Sequence, residues 1–113
     1  MIERTANEIQ RLVEAELGGI KDIRVRDALQ SILVSPTCHQ RNWDYGKEGE
    51  RYPCWTVAEH SISETAIVFS DYGFGPGMPW GLVWTKDIWF GMDSGWFETL
   101  QEAFRDSMAW KES

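Results

Sequence analysis

The sequence predicts an α+β fold: an N-terminal helical hairpin, a three- to four-stranded antiparallel β meander, and a C-terminal amphipathic helix packed on the sheet. Apolar residues recur at helical spacing near both ends of the chain, which supplies the helices. Residues 52–89 hold short apolar segments broken by the turn-rich stretch 73–81, which supplies the meander. The length of 113 residues suits a single domain spanning 1–113, and seven tryptophans give its core large side chains to bury.

Thr5-Ala-Asn-Glu8 reads as a capping box, in which the Thr5 hydroxyl accepts an amide of the first turn and Glu8 reaches back. Ile9, Leu12, Val13 and Leu17 follow on one helical face, and Gly18-Gly19 supplies the stop. A second helix is expected from Asp22 or Arg24, with Val25, Ala28, Leu29, Ile32 and Leu33 inward. It ends before Pro36, because proline disfavours helix at the residue preceding it. Residues 35–51 mix proline, glycine and charges without period and predict a long surface loop.

The meander comes next. Residues 54–60 alternate as a strand, with Trp55 and Val57 on one face and Cys54, Thr56, Ala58 and His60 on the other. Ser61 to Glu64 is a turn of hairpin length, residues 65–71 form a second strand and 82–85 a third, and 88–92 a short fourth strand near an edge. The last helix is expected from Asp93 or Ser94, either of which can cap it. Its apolar stripe is Trp96, Phe97, Leu100, Ala103, Phe104, Met108 and Trp110, with Glu98, Glu102 and Asp106 opposite at intervals of four.

Charge is the strongest functional signal. The net charge is −7, and residues 59–113 hold nine acids against three bases, while residues 1–58 hold nine against eight. A surface of that sign repels phosphate, so direct nucleic-acid binding is disfavoured and a basic protein or cation is attracted. No apolar run approaches the roughly 20 residues that cross a bilayer, so no membrane partner is expected. The start of the chain lacks a signal-peptide pattern, and two cysteines make no disulfide framework; a cytoplasmic setting is expected.

Candidate reactive groups are few. Cys38, His39, Cys54 and His60 are residue types that bind zinc, but their spacing matches no finger or ribbon. Cys54 and His60 on one strand would lie about 20 Å apart, too far to share a metal or act as nucleophile and base. Residues 73–81 do not match a phosphate loop: Met78 stands where the third glycine belongs, and a strand follows rather than a helix. The carboxylates form no catalytic pair, and Ser61 and Ser63 sit in no nucleophile elbow. No catalytic, cofactor or metal site is assigned.

In size, charge and aromatic content the chain resembles small acidic bacterial proteins such as immunity proteins and phage-encoded inhibitors, although no motif carries that resemblance. The expectation is a non-catalytic inhibitor or immunity-type protein that occludes a basic partner such as a nuclease or toxin. Its contact residues are expected to be Trp43, Asp44, Tyr45, Phe74, Met78, Trp80, Glu98, Glu102 and Asp106, with acids steering encounter and aromatics supplying affinity. The alternative is a small enzyme or metal site around His60, His39 and Cys38. A homodimer is compatible with either.

Overall fold

The computed structural model describes residues 4–43, 52–71, 77–85, 89–90 and 95–111; for residues 41–43, 52, 89 and 90 the description is of the backbone. Two helices open the chain. Helix α1 (Ala6–Gly18) is capped by Thr5, whose hydroxyl accepts the Glu8 amide at 3.2 Å, and it buries Ile9 and Val13. Helix α2 (Ile23–Gln30) is capped by Asp22, which accepts the Arg24 amide at 3.0 Å, and it buries Val25 and Leu29. Both caps satisfy amides that the helix itself leaves unpaired. The second helix stops three residues earlier than its apolar pattern suggests, because Leu33 already pairs with Ala58 in the sheet.

The sheet consists of β1 (Leu33–Trp43), β2 (Tyr52–His60), β3 (Thr65–Phe69), β4 (Trp80–Trp84), β5 (Trp89–Phe90) and β6 (Trp96–Phe97), in the order β5-β1-β2-β3-β4-β6. Five strands form an antiparallel sheet, and the two-residue β5 lies parallel to β1 at one edge. Two short helices, α3 (Leu100–Asp106) and α4 (Met108–Lys111), finish the chain. Among the described residues no helix is long and apolar enough to cross a membrane.

Two expectations need correction. Residues 35–43 are strand, not loop: the backbone pairs with β2 although Thr37, Cys38, His39 and Gln40 are all exposed and show no alternation. Pro36 is accommodated because the register shifts between Leu33 and Thr37, and a bulge is where a sheet tolerates a residue without an amide hydrogen. Likewise, Trp96 and Phe97 are strand rather than helix. They pair with Gly81 and Trp80, and the helix waits for Thr99, whose hydroxyl accepts the Glu102 amide at 3.1 Å. The proposed cap at Asp93 or Ser94 lies outside the described residues.

Register decides which side chains share a face, since residues directly opposite point the same way. Trp55, Ala58, Ile67, Phe69, Trp80, Leu82 and Phe97 face the helices and join Ile9, Val13, Val25, Leu29, Leu100 and Phe104 in the main core. Val57 falls where β2 shifts register against β3, so it and Ala58 both reach that core rather than alternating. Cys54, Ala66, Val68, Val83 and Trp96 form a smaller cluster on the opposite face. There the Trp96 indole lies against Gly81: a Cβ at that glycine would stand 2.7 Å from the ring.

Long-range polar contacts fasten the ends of the chain to this frame. Arg4 holds Asp71 through two hydrogen bonds of 3.0 and 3.1 Å, and its guanidinium carbon stands 5.5 Å from the centroid of Phe69. Glu16, on α1, accepts the Leu100 amide at 2.7 Å and so completes the cap of α3 from the far end of the sequence.

Candidate functional site

The residues singled out from the sequence scatter. Met78 is exposed at 40%, whereas Trp80 is only 3% exposed and packs its ring edge-on against Phe69 at 5.0 Å. Trp80 is therefore a core residue and not an anchor for a partner; it sits on the helix-facing side of β4, as its pairing with Phe69 requires. Trp43 is placed by its backbone in β1, and Asp44, Tyr45 and Phe74 lie outside the described residues. Gly81, counted in the sequence as part of a wide turn, belongs to β4 and makes room for Trp96.

The acids are exposed, though not as one helical stripe. Glu98 precedes the Thr99 cap and is not on the helix. Glu102 closes the capping box, its carboxylate accepting the Thr99 hydroxyl at 3.0 Å, and Asp106 meets Lys111 at 3.3 Å. Helix α3 starts beside β6 and leads to Ser107 and Ala109, which line a small cleft with His60 and Thr65. Glu102 and Asp106, four residues apart, share a side of α3, and Glu98 precedes its cap. Glu59 and Glu64 are exposed on that hairpin.

The register separates the reactive residues. His39 lies opposite Cys54 and Cys38 opposite Trp55, whereas His60 ends the strand opposite Thr65. At about 3.3 Å per residue, His60 is roughly 16–20 Å from Cys38 and His39. The convergence of Cys38, His39 and His60 that the alternative reading requires is not found, because β1 is a strand rather than a loop able to fold over. Among the described residues no three His, Cys, Asp or Glu side chains are grouped to hold a metal ion. Neither Cys38 nor Cys54 forms a disulfide, and they point to opposite faces. Although Cys38 is exposed as a residue, partial burial of its thiol pushes its pKa up, which lowers its thiolate fraction and its reactivity.

What the sequence reading missed is the end of the hairpin. Ile62 is 86% exposed in the turn, and Trp84, opposite Thr65 at the end of β4, is 53% exposed. Met108 is exposed beside the cleft that His60, Thr65, Ser107 and Ala109 line. The turn is held from within and from the side. His60 Nδ1 and Thr65 Oγ1 each lie 2.6 Å from Ser63 Oγ, and the Glu64 amide donates to the Ser61 carbonyl at 3.2 Å. The Glu64 carbonyl accepts both the amide and the hydroxyl of Thr85, at 2.8 and 3.1 Å. Period-two alternation does place Trp84 on the face of Trp80 and Leu82; it gives no sign that Trp84 emerges where Trp80 is covered.

The cleft itself has room for about one water. No family model, curated protein or solved structure matches the chain.

Proposed function

We propose that this chain is a non-catalytic protein-binding module that occludes a basic partner. The observation that supports it is the set of exposed carboxylates, Glu98, Glu102 and Asp106 at and on α3 with Glu59 and Glu64 on the hairpin, in a half of the chain holding nine acids and three bases. Such a surface accelerates encounter with a positive protein and disfavours nucleic acid itself. Nucleases and nucleic-acid-binding toxins have positive sites and are the partner class this charge fits, as for an inhibitor or immunity-type protein.

Capture of partners at low and moderate salt, with the wild-type chain beside a Glu98→Lys/Glu102→Lys/Asp106→Lys triple variant, tests this. The expected result is a basic partner that binds at low salt, weakens as salt rises, and is lost with the triple variant. Retention of a neutral or acidic partner, insensitive to salt and to the reversal, would overturn the reading.

A further inference from the structure

The two ends of the sheet differ in chemistry. Strand β6 lies at one end and leads into α3 with Glu98, Glu102 and Asp106, whereas β1 stands near the other. Strand β1 pairs with β2 along one side, and β5 occupies its outer side at Asn42 and Trp43. Among the described residues nothing else pairs with that outer side. A strand edge carries a row of amide and carbonyl groups that another strand can complete, and sheets commonly blunt such edges with charge, proline or a bulge. Here Pro36 and the register shift between Leu33 and Thr37 protect the first part of the strand. Thr37, Cys38, His39 and Gln40 are all exposed and include no lysine, arginine, aspartate, glutamate or proline.

We propose that residues 37–41 pair antiparallel with the same residues of a second copy, joining two six-stranded sheets into one. The proposal goes beyond the basic-partner reading and is independent of it, since that reading concerns the acids at and beyond the other end of the sheet. Both limits of the pairing are built into the strand. Pro36 has no amide hydrogen to donate, and Asn42 is already paired with β5. A two-fold axis through the centre of the window between them passes at His39. His39 then stands opposite its own equivalent, Cys38 opposite Gln40 of the second copy, and Thr37 opposite Arg41. The match is self-complementary, as a two-fold interface requires. Charge selects a second copy over a basic protein. Two copies of net charge −7 repel unless their acids are kept apart, and pairing through β1 leaves α3 at the outer end of each sheet. A basic protein meets no acid in residues 33–41 and is drawn to the opposite end instead.

Sedimentation equilibrium of the full chain, in a concentration series reaching about 500 μM, tests this, with amide chemical shifts read along the series. The expected result is a monomer–dimer equilibrium whose concentration-dependent shifts centre on residues 37–41. Added salt should tighten the dimer, because it screens repulsion between two negative copies, whereas it weakens capture of a basic partner. His39→Lys sets two ammonium groups directly opposite and is expected to weaken dimerisation about fivefold or more, while His39→Gln leaves it within about twofold. His39 is exposed, and an unchanged thermal midpoint in dilute solution confirms that both variants fold. In the paired register Cys38 lies diagonal to its own equivalent on one face, about 7–8 Å away. A thiol-to-thiol linker of that reach should therefore join two copies and fail with Cys38→Ser. Should His39→Lys unfold, the wild-type shifts and this cross-link decide alone. A chain that stays monomeric throughout overturns the proposal, and so does a dimer whose shifts map to α3 or the β2–β3 hairpin and that His39→Lys leaves intact. Neither result touches the basic-partner reading, which is decided by the charge reversal of Glu98, Glu102 and Asp106.

Discussion

On its helix-bearing face the sheet buries Ala58, Ile67, Phe69 and Trp80 under side chains that arrive from both ends of the chain, from Ile9 and Leu29 to Leu100 and Phe104. On the opposite face the described cluster is Cys54, Ala66, Val68 and Val83 with a single large member, Trp96, laid against Gly81. The first face is stabilised by many overlapping contacts, so it sets the global stability. The second depends on one close approach between an indole and a residue with no side chain. One position there can decide whether β6 pairs at all, and β6 leads directly into α3.

The largest effect is therefore expected on the helix face. Phe104 is buried between β4, α1 and the rest of the core, and Phe104→Ala should cost about 3–5 kcal/mol through lost transfer energy and a cavity. Urea unfolding reads this directly, and a loss under about 1 kcal/mol would mean that the helices contribute less than the burial implies. Gly81→Ala is the matching probe of the other face. Its new methyl meets three ring atoms at 2.7–2.8 Å, so the indole must move, at a cost of about 1–3 kcal/mol. The same substitution made together with Trp96→Leu should cost much less than the sum of the two single changes. Additive losses would show that the glycine serves some other purpose.

The same contrast explains what was legible in the sequence. Helices α1 and α2 announce themselves through Thr5, Asp22 and their apolar spacing, because caps and a 3.6-residue period are local signals. Strand β1 does not, since Thr37 to Gln40 are all exposed and a run of exposed residues has no alternation to read. Strand β6 is two residues long, and its identity is settled by its pairing with Gly81, far upstream in the chain, rather than by anything near Trp96. For the candidate site, the excess of acid is visible by counting residues. The choice between Trp80 and Trp84 is not, because both occupy the same face of β4 and only the placement of the helices separates them.

A smaller effect is expected where the helix face is closed by charge. Arg4 and Asp71 make a two-bond pair of limited exposure that lies over Phe69, so Asp71→Asn should cost about 1 kcal/mol, and somewhat less at high salt. Denaturation at two ionic strengths measures it. Since Phe69 belongs to the main core, the loss should accompany weakened protection of helix-face amides and leave the Trp96 indole resonance where it was. A shift at Trp96 would show that the two faces are coupled more tightly than the separate clusters suggest.

The smallest effect is also confined to the helix face, at the cap of α2. The side-chain hydrogen bond from Arg24, followed by that residue's amide, holds the Asp22 carboxyl below its ordinary pKa. A carboxylate whose folded pKa is depressed stabilises the fold above its unfolded value of about 4 and loses that contribution as pH falls through the lower folded value. Amide exchange in α2 should therefore quicken below about pH 4, before protection at Ala66 and Val68 changes. Asparagine caps a helix nearly as well as aspartate and carries no proton to titrate, so Asp22→Asn should abolish this acid sensitivity while preserving the helix at neutral pH. If the variant shows the same acid transition, the cap is not its origin. The two faces would then share one carboxylate-driven unfolding step, against the separation that their packing implies.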